Sequence, residues 1–161
     1  MKNFYAFQGI VTAISDFNTG QSGDGCFKVF TVENQSGSTV NFIVSPATYF
    51  VDHAMVSTGD FVTGYYDGNA PVPLIYPPQY QALVMVKESQ NQSVKVSYFN
   101  SQLVSSDGQL KLNLSPFTQV LLTNGQAFTG NPANRDLAVI YGAATKSIPA
   151  QTVPYRVIVL C

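Results

Sequence analysis

The chain has 161 residues, 45% of them apolar and only 11% charged, with a formal net charge of −1 at pH 7. Its eight Lys and Arg are scattered and form no basic stripe, so the counterion release that drives nucleic-acid binding has no source. No apolar run approaches the roughly 18 residues of a membrane-spanning helix, and residues 1–9 hold no apolar core of a secretion signal, which makes a cytoplasmic location the expectation.

Polarity comes instead from 49 Asn, Gln, Ser and Thr residues. A neutral polar surface carries little charge repulsion between copies, so homo-oligomers are favoured relative to an average domain. Cys26 and Cys161 form no ligand-like pair, and in a reducing compartment they are expected to be thiols.

In chain order, residues 9–14 are β-branched and alternate, and a polar, Gly-rich excursion follows over 16–25. Strands are expected over 27–32 and 39–44, joined by the turn signal Gln35-Ser36-Gly37-Ser38. Ser45-Pro46 reads as an N-cap with proline in the first helical position. The strand formers at 48–51 limit any helix there to one turn. Ser57-Thr58-Gly59-Asp60 turns the chain into a strand over 61–66. A loop over 67–79 then carries Pro71, Pro73, Pro77 and Pro78, and a closing strand covers 80–86.

A short polar stretch over 88–93 marks a boundary, giving units of residues 1–88 and 89–161. The second unit has strands expected over 94–98, 101–104 and 109–114, then 118–122, 137–141 and 155–160. Asn124-Gly125 is a strong hairpin dipeptide. No stretch supports an amphipathic helix of three turns.

The two units echo each other. Ser45-Pro46-Ala47-Thr48 returns 70 residues later as Ser115-Pro116-Phe117-Thr118. Tyr66 and Tyr80 find counterparts 75 residues on, in Tyr141 and Tyr155. One five-residue insertion around 130–134 reconciles the two offsets. Each unit thus reads as a hairpin, a Ser-Pro corner, a strand, a long loop and a closing strand. That succession predicts an all-β chain of two tandem OB-like, Greek-key small β-barrels related by internal duplication.

Gly9-x-Val11, Val40-Asn41-Phe42-Ile43-Val44-Ser45, Thr48 and Gly59-Asp60-x-Val62 resemble, in that order, small bacterial OB-fold-like modules of unknown function. Ile148-Pro149-Ala150-Gln151 is similar to the approach to their last strand. The resemblance implies a fold and no activity. The long Pro-Tyr loop of the first unit and the shortened start of the second depart from it.

That loop supplies the candidate binding residues Tyr65, Tyr66, Tyr76, Pro77, Pro78 and Tyr80, with four tyrosines within 16 positions. Proline fixes the backbone and presents aromatics rigidly, which suits stacking on sugars, bases or peptide prolines. The plainer alternative places the same aromatics in the core or in a subunit interface.

The oxygen-rich segment 16–24 lacks the glycine and glutamate spacing of a calcium loop, so no metal or other cofactor is expected. His53, the single histidine, lies beside Asp52 and could serve Ser45 or Ser57 only if the three converged in space. No strained elbow surrounds either serine. Asp60 and Asp67 read as turn residues that bond their own backbone, and Thr48 and Thr118 as caps of the repeated corner. Arg135, Lys146 and Arg156 lack interleaved aromatics and read as a solvated face, which leaves nucleic acid without a partner surface.

The expected function is therefore a non-enzymatic binding module of unknown ligand. The alternative is a self-assembling structural protein, in which the loop joins copies. A hydrolase would need a pocket where His53 meets a serine or a carboxylate.

Overall fold

The computed structural model describes residues 1–17 and 25–161. Most of the segment read against a calcium loop thus lies outside the described residues. Among the described residues the chain is all-β, 47% strand with no α-helix. Among the described residues no helix is long and apolar enough to cross a membrane. The chain divides into two compact units, one of Phe4–Glu88 and one of Met1–Asn3 with Ser89–Cys161.

In the unit Phe4–Glu88, a single long strand organises the rest. β1 (Phe4–Asp16) pairs antiparallel with β2 (Lys28–Glu33) along its second half and with β5 (Phe61–Asp67) along its first. The change of partner falls at Gly9 and Ile10, and the register with β2 shifts between Val11 and Ala13. A bulge of this kind bends the strand and sharpens its twist. Gly9 is needed at that bend, because a Cβ there would lie 2.3 Å from the Glu33 carbonyl oxygen.

β3 (Thr39–Val44) returns along β2 after the turn, whose Asn34 side chain accepts the amides of Ser36 and Ser38. β6 (Gln79–Gln81) runs parallel to β3, and β4 (Tyr49–Phe50) runs parallel to β7 (Val84–Lys87), which itself pairs antiparallel with β5. Val11, Val32, Phe42, Val62 and Met85 are wholly buried and form the centre of this unit's core.

The other unit has β11 (Arg135–Tyr141) at its middle, antiparallel to both β8 (Ser93–Phe99) and β13 (Arg156–Val159). β10 (Gln119–Leu122) is parallel to β13, and β9 (Leu110–Leu112) is parallel to β12 (Ala150–Thr152). Four of the six β11 residues from Asp136 onward are fully enclosed, in line with a strand covered on both faces. Phe99, Leu137, Val139 and Val157 close its core.

The sheets are arranged as a β-solenoid of about three turns, which corrects the expected pair of tandem OB-like Greek-key barrels. The expectation was built on hairpin signals, which announce antiparallel neighbours. Four short parallel pairings, β3–β6, β4–β7, β9–β12 and β10–β13, instead join segments far apart in the chain. Parallel neighbours need a long connection and leave no local turn signal. Two finer expectations also change. The closing strand over 80–86 breaks at Ala82 and Leu83 into β6 and β7, and residues 101–104 form a turn with isolated bridges rather than a strand.

Neither Ser-Pro corner starts a helix; both are tight turns with the same bonds. Ser45 Oγ accepts the Ala47 amide at 3.1 Å, and Thr48 Oγ1 accepts the Ser45 amide at 3.1 Å and donates to the Ala82 carbonyl at 2.8 Å. In the other unit Ser115 Oγ accepts the Phe117 amide at 3.1 Å. There Thr118 Oγ1 accepts the Ser115 amide at 3.3 Å and donates to the Pro154 carbonyl at 2.8 Å. Each corner leads directly into a parallel pair, Tyr49 beside Val84 and Gln119 beside Arg156. The threonine hydroxyl thus ties the incoming strand to the segment that precedes its partner.

Candidate functional site

The Pro-Tyr loop stands on an aromatic ladder. Tyr66 of β5 lies opposite Tyr5 of β1, and their rings meet edge to face with centroids 6.0 Å apart. Tyr80 of β6 stacks flat on Tyr66, at 3.9 Å and an interplanar angle of 7°. Beneath both lies the buried ring of Phe42, 6.2 Å from Tyr66 and 6.4 Å from Tyr80. The parallel register that sets Phe42 beside Tyr80 builds this contact.

Local sequence makes room for it. Alternation along β5 sends Val62, Gly64 and Tyr66 to one face and Thr63, Tyr65 and Asp67 to the other. A Cβ on Gly64 would lie 2.5 Å from the Phe42 ring, so only glycine admits that ring. Gly68 does the same for Tyr5, whose ring would be 2.9 Å from an added Cβ. Burial, helped by the neighbouring Tyr80 hydroxyl, pushes the Tyr66 phenol up to about 12. Tyr66 is therefore a neutral hydrogen-bonding group across the ordinary pH range.

The six residues singled out from the sequence part company here. Tyr66 and Tyr80 form the ladder, and Pro77 and Pro78 are half-buried at its side. The Pro78 carbonyl accepts the Asn41 amide at 2.8 Å and fixes the outgoing end of the loop. Asp67 fixes the incoming end, with its carboxylate accepting the Asn69 amide at 3.0 Å. Tyr76 alone of the six stands in water, 82% exposed, next to a cis Tyr76–Pro77 peptide. Beside it Leu74 is fully exposed at 101%, and Ile75 and Val72 are exposed as well. Tyr65 faces away from the ladder, and its carbonyl accepts the Leu83 amide at 2.8 Å.

Sequence reasoning missed Tyr5, Phe42 and Gly68. Alternation could have put Tyr66 on the face of Gly64, but only the β1–β5 register names Tyr5 as its neighbour.

Two grooves accompany these features. One, of about 840 Å³, lies in the unit Phe4–Glu88 between Gln8–Ile10, Glu33–Ser36 and Phe61. At its edge Gln8 Nε2 donates to Thr63 Oγ1 at 3.0 Å, and that hydroxyl donates to Glu88 at 2.6 Å. The other, of about 580 Å³, lies in the unit holding Ser89–Cys161, between Gly142–Thr145, Gln151–Val153, Asn113 and Tyr155. Its walls are fixed by Thr152 Oγ1 donating to the Ala143 carbonyl at 2.7 Å and by the Gln151 amide donating to Thr145 Oγ1 at 2.9 Å. Tyr155 lies so close over Gly142 that an added Cβ would meet its hydroxyl at 2.1 Å.

His53 meets the edge of the Tyr49 ring at 6.0 Å and, with Asp52, lies in the left-handed backbone region. Asp60 accepts the Ser57 amide at 2.8 Å, and that bond, with Lys87 nearby, holds its carboxyl below the usual range. Among the described residues no group of three His, Cys, Asp or Glu converges as a metal site. Both cysteines are free and exposed. No protein-family model matches the chain, and no curated protein matches it.

Proposed function

We propose that the protein is a non-enzymatic binding module, and that its contact element is the apolar tip Leu74-Ile75-Tyr76 rather than the tyrosine ladder beneath. The carrying observation is a loop tied down at both ends whose tip is held in water, with Leu74 fully exposed. The rings of Tyr66 and Tyr80 are occupied by each other and by Phe42. They serve as a rigid base and leave no flat face open for a sugar or a nucleobase between them.

An uncharged tip of Leu, Ile and Tyr suits an apolar recess on a protein. Full burial of a Leu or Ile side chain is worth about 1.5–3 kcal/mol. Set against about 4–15 kcal/mol of lost translational and rotational freedom, three such residues support a weak, reversible contact. The bonds that the two Ser-Pro-x-Thr corners share support a second part of the reading, that the two units descend from one duplicated unit.

The test is a photoreactive benzoylphenylalanine in place of Tyr76, irradiated in the producing cell. A cross-linked adduct that Leu74→Asp abolishes is the expected result. Irradiation that leaves only the uncross-linked chain would overturn the loop as a contact element.

A further inference from the structure

We infer that the occupant-seeking loop tip is received by a second copy of this chain, in the groove lined by Gly142–Thr145, Val153 and Tyr155. This rests on the reading of the loop as a contact element. Residues 68–79 contain no charged side chain, and neither do the nine residues that line the groove. Neither surface would strand a charge on desolvation, which is the usual obstacle to burying a polar chain's surface against itself. Lys146 is the single charged residue between 142 and 155, and it does not line the groove.

Size and shape agree. The groove's volume of about 580 Å³ falls in the range of about 300–1,000 Å³ that holds a compact organic group, enough for the side chains of the tip. Ala143 and Ala144 are small, exposed residues of its lining, with no bulk to keep an incoming side chain off. Its rim carries Val153 and Tyr155, both about half exposed. Polar walls of Asn113, Thr145 and Gln151 are locked by bonds among themselves, so the cavity is held open before anything enters. The chain as a whole has few charges to keep copies apart.

Each copy would offer one loop and one groove, so two copies can exchange loops reciprocally, or repeated pairing can add copies in a ring or a filament. The contact thereby predicts a specific behaviour of mixtures. Leu74→Asp removes the loop but keeps the groove, whereas Ala144→Glu removes the groove but keeps the loop. Leu74 and Ala144 are both exposed, so both variants are expected to fold.

Sedimentation velocity over a concentration series is the measurement, with circular dichroism to check each variant's fold. The wild-type chain should form species above its 17.4 kDa mass, growing with concentration, while each variant stays at that mass. An equal mixture of the two variants should form one complex of twice the chain mass and nothing larger. Val153→Glu in place of Ala144→Glu should behave identically. A mixture that stays monomeric while the wild type associates would overturn the inference, since an intact loop and an intact groove would then be present together without pairing. Association of Ala144→Glu by itself would overturn it as well, as the mark of a symmetric loop-to-loop contact. A wild-type chain that is monomeric throughout would also overturn it, and an adduct from position 76 to a different protein would then leave the loop reading standing.

Discussion

Gly64 and Tyr66 show how single residues of β5 decide the ladder. The Phe42 ring occupies the space that a Cβ at position 64 would need, at 2.5 Å. Gly64→Ala should therefore destabilise the fold by about 1–3 kcal/mol, the usual cost of overpacking, read as a lower midpoint in urea unfolding. Tyr66 carries a pH signature. Its phenol is raised from an ordinary value of 10.0 to about 12, chiefly by burial. The folded state thus holds that proton more tightly than the unfolded one. The resulting stability is fully present below pH 10 and is lost as pH rises through about 12. Tyr141 is also raised by burial, so the diagnostic comparison is between the wild-type chain and Tyr66→Phe. The melting temperature of the variant should fall less between neutral and alkaline pH. Equal slopes would show that the Tyr66 phenol does not contribute. At Asp107, burial pushes the carboxyl up. The Lys95 ammonium, the Ser105 hydroxyl and the Gln109 amide outweigh it and hold the group below its usual range.

Among elements, the two Ser-Pro-x-Thr corners carry more than their length suggests. In each, one threonine hydroxyl both accepts an amide at the start of the turn and donates to a carbonyl ahead of the parallel partner strand. Thr48→Val keeps the shape and removes both bonds, leaving the partly buried Ala82 carbonyl and Ser45 amide short of partners. A loss of about 1–3 kcal/mol is expected, and Thr118→Val should lose a similar amount through Pro154 and Ser115. Calorimetry on the two variants measures both. If either threonine is replaced without effect, water satisfies those groups and the corner does not pin its strand. These corners were legible in the sequence because the same four-residue pattern occurs twice. Their partners, Ala82 and Pro154, were not, since nothing local to either corner points 34 or 36 residues downstream.

For the whole molecule, low charge is the property with the widest consequences. An uncharged loop-to-groove contact has no Coulomb attraction for salt to screen, and added salt strengthens apolar burial if it acts at all. Association measured at low and at high sodium chloride should hold constant or tighten. Weakening in salt would mean that charged groups outside both surfaces hold the copies together. Each of the two units also has its own buried cluster, one around Phe42 and Met85 and one around Phe99 and Leu137. Residues 4–88 expressed alone should accordingly retain a cooperative unfolding transition, although a unit of that length sits near the lower size limit for an independent core.

By itself the sequence determined that the chain is all-β, where most strands fall, where the tight turns lie, and which loop is unusual. Those properties are written in neighbouring residues: alternation, β-branching, and Gly, Asn and Pro at turns. Tertiary structure alone decided which strands lie side by side, and with that the solenoid arrangement in place of paired barrels. It also sorted the Pro-Tyr residues into an inner ladder and an outer tip. Stacking of Tyr80 on Tyr66 follows from the parallel register of β6 with β3 and the antiparallel registers of β5. A register between distant segments is fixed by the fit of side chains across the strands, and no stretch of neighbouring residues encodes it.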